Sequence, residues 1–256
     1  MQIVSLTTDF GIKDHYAAVL KGSILSRNKD VNIIDVSHQV ETHDIIQAAF
    51  YLENALDAFP EGSIHVVAVF SFYTKDYEVI SFTRNGHHFI GPNNGIFTLI
   101  FADLDESEIH KVIFTGVQKH SLQECMAHGV ACISHGLSKE ELGPPLDLLD
   151  RKLAIQPVVN NDQIRATIIH VDHFENVIVN LRKEQFDKIR NERSFALYYK
   201  HHDPITVVST SYSDVSHGEV VCLFNATGYL EIGINMGKAS SLLSLFKNET
   251  IQINFL

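Results

Sequence analysis

A carboxylate stands directly after the first apolar run of the chain, in Leu6-Thr7-Thr8-Asp9-Phe10-Gly11. If that run is a buried strand of an open α/β sheet, Asp9 lies just past its C-terminal end, where such sheets keep their ligand crevice. An ionised Asp only accepts hydrogen bonds, so it can grip the two vicinal hydroxyls of a ribose. It can equally cap the helix that follows, and the residues leave both roles open. Several other chemistries lack their residues. GxGxxG, GxxxxGK and GxSxG are all absent, so a dinucleotide fold, a P-loop or a nucleophile elbow has no support. The 15 His include no HExxH and no paired Cys/His set, so no metal site is expected. His87-His88 and His201-His202 sit in polar, turn-like surroundings that read as surface.

The elements that must position Asp9 follow from periodicity. Ile3 to Leu6 reads as a buried strand, and Asp14 to Leu25 as a helix burying Tyr16, Val19, Leu20, Ile24 and Leu25. Val31 to Val36 is a second strand. His43 to Phe59 is a second helix, with Ile46, Ala49, Phe50, Leu52 and Leu56 inward and Pro60-Glu61-Gly62 ending it. Ile64 to Val69 is a third strand, and Val79 to Phe82 with His88 to Ile90 forms a hairpin across Arg84-Asn85-Gly86. A turn at Asn93-Asn94-Gly95 and a helix near Glu124 to Ser134 complete this half. Alternating strands and helices predict an α/β domain with a mostly parallel sheet. Past the Gly143-Pro144-Pro145 and Pro157 to Asp162 stretches the period changes. Ile164 to Val171, Val177 to Leu181, Phe195 to Tyr199, Val220 to Phe224, Tyr229 to Ile234 and Ile251 to Phe255 are short strands at regular spacing. They predict a C-terminal all-β domain, sandwich- or barrel-like. The domains are placed at residues 1–150 and 164–256.

Composition excludes some partners. The 256 residues carry 20 Lys+Arg against 31 Asp+Glu, a formal charge of −11, which disfavours nucleic acid and anionic membranes. No run of ~18 apolar residues could span a bilayer. Three Cys without CxxC spacing suit a reducing compartment, and a cytoplasmic location is expected.

Read in order, the motifs resemble one family. Leu6-Thr7-Thr8-Asp9-Phe10-Gly11, Asp14-x-Tyr16, Leu20-Lys21-Gly22 and Asp35-x-x-His38 look like the opening of the S-adenosylmethionine (SAM) hydroxide adenosyltransferase and fluorinase/chlorinase family. The similarity continues through Phe59-Pro60-Glu61-Gly62-Ser63-Ile64-His65, Gly91-Pro92-Asn93-Asn94-Gly95 and Val171-Asp172-x-Phe174-Glu175-Asn176-x-x-x-Asn180. It ends in Phe224-Asn225-Ala226-x-Gly228-Tyr229-Leu230-Glu231-Ile232 and Asn235-x-Gly237-Lys238-Ala239. The resemblance implies SAM or adenosine as substrate or ligand, no further cofactor, and a homotrimer with the ligand at the subunit contact. It implies that Asp9 holds the ribose hydroxyls, that His43 stands where an aromatic residue meets the nucleoside, and that Asp172 meets the methionine ammonium. Asn176 and the backbone near Ala239 would read the adenine edge. Asn94 and Asn225 fall in ligand-binding motifs, although Ala226 replaces the family's Ser after Asn225, and Glu175 replaces its Gly before Asn176.

The departures concern the chemistry. The family's hydrolases position and deprotonate water with an Asp, an Arg and a His. The matching positions here hold Phe70, Tyr77 and Ser121, with His120 one residue away. Glu124 matches a nearby acid, and Leu122 stands where the halogenases place a halide-holding Ser. Attack at C5′ of a sulfonium expels neutral methionine and needs no acid, but water needs a base. His120, His128 or Glu124 could supply one, with Phe70, Phe72 and Tyr73 as apolar walls. The alternatives are a silent SAM- or adenosine-binding sensor or scaffold, and a changed ligand.

Overall fold

The computed structural model describes residues 1–71, 78–114, 122–200 and 203–256. It separates into two compact units, Met1–Ala154 and Ile155–Leu256.

In the first unit, β1 (Gln2–Thr8) is an inner strand, parallel to β2 (Val31–Ser37) on one side and β3 (Ile64–Ala68) on the other. β4 (Val79–Arg84) and β5 (His87–Pro92) form a hairpin whose turn residues Asn85 and Gly86 take φ of 50° and 77°. That left-handed pair is what a two-residue hairpin requires. β5 runs parallel to β3, and β6 (His110–Lys111) closes the order β2-β1-β3-β5-β4-β6. Only β4 runs against the rest. Successive side chains of β3 point to opposite faces. Ile64, Val66 and Ala68 pack with α1 (Tyr16–Arg27) and α4 (Leu122–Ser134). Val67 and Val69 pack with α2 (Ile45–Ala55) and α3 (Ile96–Ile100) around Phe82, Phe89, Phe97 and Phe101. A sheet covered on both faces is why this strand is buried throughout and apolar at every position but His65. A short α5 (Lys139–Leu142) follows.

Two expected faces differ. α1 buries Leu20, Ser23 and Ile24, while Tyr16, Val19 and Leu25 are exposed. The buried stripe carries polar bonds, because Ser23 and Arg27 both bind Glu124 of α4 at 2.5 Å. α2 buries Gln47, Ala48, Ala49 and Leu52, leaving Ile46 exposed. The Gln47 amide oxygen accepts Glu41 N–H at 2.6 Å, which holds it inward. His87-His88 is not a surface turn either. Both residues are half-buried on β5, and His87 Nδ1 lies 3.3 Å from Nε2 of the fully buried His65. His201-His202 lies outside the described residues.

The second unit is an antiparallel, curled sheet of seven strands. β7 (Val158–Val159), β8 (Gln163–Val171), β9 (Val177–Arg182), β10 (Phe195–Tyr198), β11 (Val220–Phe224), β12 (Tyr229–Ile234) and β13 (Thr250–Phe255) run in the order β10-β13-β8-β9-β12-β11, with β7 beside β8. β8 curls the sheet: Gln163 to Thr167 pair with β13, and Ile168 to Val171 pair with β9 across an irregularity. A strand that changes partners in this way turns a corner and encloses a core. The strand pattern omitted two helices. α6 (Lys183–Arg190) inserts Phe186 among Phe195, Phe224 and Phe255, and α7 (Ala239–Leu243) buries Ala239 and Leu243.

Candidate functional site

Asp9 follows the C-terminal end of β1, at the rim of a cavity of 820 Å3. Its Oδ2 accepts the His43 N–H at 3.0 Å and the Phe70 N–H at 3.2 Å. These donors precede α2 and follow β3, and both residues are left-handed, with φ of 67° and 49°. Oδ1 has no partner among the described residues. Asp9 does not cap α1, whose N-cap position is His15. Of the two roles the sequence leaves open, helix capping is therefore excluded.

The cavity's polar lining includes Asp9, His15, Thr42, His43 and Gln123; Phe10, Tyr16, Val19 and Phe70 supply its apolar wall. The His43 ring packs on Phe70 with centroids 4.9 Å apart, and the His15 ring stacks on Tyr16 at 4.6 Å. Ser71 also lines it, and its buried hydroxyl has no partner among the described residues.

Polar contacts fix the loops behind Asp9. Thr8 Oγ1 lies 2.8 Å from His38 Nδ1, and His38 Nε2 lies 3.0 Å from Asp35 Oδ1. Gly11, at φ 69°, donates its N–H to His38 O at 2.7 Å. Asn94 is buried and faces backbone: its amide donates to Val69 O at 3.0 Å and Phe70 O at 3.2 Å, and its oxygen accepts the Ile96 N–H. It therefore holds the turn that presents the Phe70 N–H to Asp9.

In the second unit, Asp172 and Asn176 form one local loop. Asp172 Oδ1 accepts the Asn176 N–H at 2.7 Å, and Oδ2 accepts the Asn176 amide at 3.0 Å. Between them Glu175 takes φ 66°, a conformation natural to Gly. Its carboxylate pays for this by binding Lys238 Nζ at 2.8 Å and the Ser241 hydroxyl. The Ser240 N–H donates to Glu175 O at 2.9 Å. Asp172, Asn176 and the backbone at Ala239 are thus held together. The side-chain bonds from Lys238 and Ser241 keep the Glu175 carboxyl below the usual carboxylate range. Asn225 shapes a turn, accepting from Thr227 and Tyr229 N–H and donating to Glu231 at 3.1 Å. Glu231 also binds the Tyr212 hydroxyl, and burial and that carboxylate push the phenol upward.

Two of the alternative bases, Glu124 and His128, lie elsewhere. Glu124 is held by Ser23 and Arg27 and does not line the cavity. His128 packs on Phe114 and beside Cys132, also outside the cavity lining; burial and then Arg27 hold its imidazole below the usual range. Leu122 is fully buried in the core. Phe72, Tyr73, Tyr77, His120 and Ser121 lie outside the described residues. Sequence reasoning missed His15, Gln123 and Ser71 as cavity residues. His15 sits inside the Asp14-x-Tyr16 motif and could have been nominated; Gln123 depends on how α4 packs.

Among the described residues, no helix is long and apolar enough to cross a membrane, and no group of three or more His, Cys, Asp or Glu is arranged for a metal ion.

A mostly parallel α/β sheet with a cavity past its first strand, joined in sequence to a curled antiparallel domain, defines a two-domain small-molecule-binding class. The chain belongs to the SAM hydroxide adenosyltransferase family, whose N-terminal domain model matches residues 4–140 and whose C-terminal domain model matches residues 166–252. It is 28% identical to an (R)-S-adenosyl-L-methionine hydrolase of Methanocaldococcus jannaschii, over 99% of this chain and 96% of that one. A fluorinase of Actinopolyspora mzabensis is 19% identical over 98% and 96%. The crystal structure of an uncharacterized conserved protein from Thermotoga maritima superposes with a TM-score of 0.86 at 27% identity, covering 99% of this chain and 100% of that one.

Proposed function

We propose that the protein binds SAM, or adenosine, through Asp9 and cleaves SAM at C5′ to adenosine and methionine. The observation carrying this reading is the Asp9 carboxylate, with one oxygen anchored by two backbone amides and the other open at an 820 Å3 cavity. A fixed anion suits two vicinal hydroxyls, and the volume suits a nucleoside with an amino-acid tail. The relatives named as SAM hydrolases support the substrate. The sulfonium leaves as a neutral thioether, so the protein must align water with C5′ and exclude bulk solvent. Asp172 would take the methionine ammonium, while Asn176 and the Ala239 backbone would read adenine.

These last contacts would come from a neighbouring subunit of a homotrimer. Exposed Tyr16 and Val19, which line the cavity, support an apolar contact there. Light scattering should give three chains per particle; a monomer binding SAM at full affinity would remove the shared site. The three free cysteines suit a cytoplasmic setting.

A second reading, a silent SAM or adenosine sensor, is favoured by Phe70 at the hydrolase Asp position. Incubation with SAM followed by chromatography separates the two. Equal amounts of adenosine and methionine are expected. Binding in calorimetry without either product supports the sensor, and no binding refutes both.

A further inference from the structure

We propose that His43 is the base that deprotonates the attacking water, an inference that rests on the C5′ cleavage reading. The oxygen of water bonds to C5′ as the C5′–S bond breaks; its electron pair stays on sulfur, and one water proton must go to a base. At the position of the family's hydrolase Asp the chain has Phe70, which cannot take it. Glu124 and His128 do not line the cavity. Among the described residues, the nitrogen bases that do are His15 and His43.

Geometry separates those two. His15 lies at the start of α1 with its ring stacked on Tyr16. The His43 N–H is fixed on Asp9 at 3.0 Å and its ring packs on Phe70 at 4.9 Å. His43 thus meets the proposed ribose anchor through its N–H and packs its ring on the wall that replaces the hydrolase carboxylate. A ribose held at its 2′ and 3′ hydroxyls carries C5′ only two bonds past C3′, within reach of a water on this wall. Neither His43 ring nitrogen has a hydrogen-bond partner among the described residues, so one is free to accept a proton. Asp9 is committed to the ribose. The His43 imidazolium then releases its proton to solvent, since the residue is exposed.

Among the described residues, the titratable groups that line the cavity with His43 are Asp9 after β1, and His15 and Tyr16 at the start of α1. On its own segment the titratable groups are Glu41 and Asp44, the latter accepting the Gln47 N–H at 2.9 Å.

The test compares wild type, His43→Asn, His43→Gln and His15→Asn, with kcat and KM for SAM measured from pH 5 to 9 and SAM affinity by calorimetry. Asn tolerates the left-handed backbone at this position. Both His43 variants should lower kcat at saturating SAM on the order of 100-fold, beyond any loss of SAM affinity, and the acid limb of the kcat profile should disappear. Unchanged kcat and pH profile in His43→Asn and His43→Gln would overturn the assignment, as would loss of the acid limb in His15→Asn alone. If wild type releases no adenosine, the cleavage reading itself has failed, a result distinct from an active wild type matched by its His43 variants.

Discussion

At the scale of single residues, the site is a carboxylate held by backbone. Replacing Asp9 with Ala should weaken adenosine binding by about 1.5–3 kcal/mol, through loss of charged hydrogen bonds, measured by calorimetry. Phe70→Asp alone should not raise SAM hydrolysis above the wild-type rate. The Phe70 N–H already binds Asp9, so a second carboxylate would stand beside the first without the Arg and His partners it needs. Joined with Tyr77→Arg and Ser121→His it should raise adenosine release at equal SAM occupancy, read by chromatography. Asp9 was legible because its place depends only on a strand end, a local property. Glu124 was not. Its aim is set by Ser23 and Arg27 on a helix about a hundred residues earlier, and no spacing in the sequence encodes that pairing. Asn94 was legible as a special position, although its visible partners are carbonyl groups.

At the scale of elements, β3 and β5 pair a buried imidazole, His65, with the half-buried His87, and this has a consequence for pH. His65 is fully buried, its Nδ1 2.6 Å from Ser5 Oγ, and burial, then His87 and His88, lowers it to about 4. The folded state thus resists a proton that the unfolded chain accepts near pH 6.5. This neutral His supports the fold fully above pH 6.5, and its contribution fades as pH falls toward 4, by up to about 3 kcal/mol. Urea melts at pH 7 and 5 should show that loss, and His65→Gln should flatten it. The strands were legible because a covered parallel sheet leaves unbroken apolar runs. The helix faces were less so. Tyr16 and Val19 have core-like spacing yet turn to the cavity, since periodicity marks an apolar stripe without saying what covers it. α6 was missed because its one deeply buried side chain, Phe186, stands in a charged run.

At the scale of the whole molecule, each unit has its own core. The cluster around Ile164, Val179, Phe186 and Ile253 contains no residue of the first unit. Expressed alone, residues 155–256 should unfold cooperatively by circular dichroism; a featureless melt would show that this core is insufficient. The change of period past Pro157 made the two folds legible, because strands of one curled sheet and strands wrapped by helices bury different faces. The Asp9 anchor also bears on descent. It is gripped by main-chain N–H groups, which every amino acid but proline offers. Mutation can therefore rewrite the side chains at 43 and 70 while the grip on Asp9 endures. A lineage built this way can exchange one reaction for another, or fall silent, without first losing its ligand.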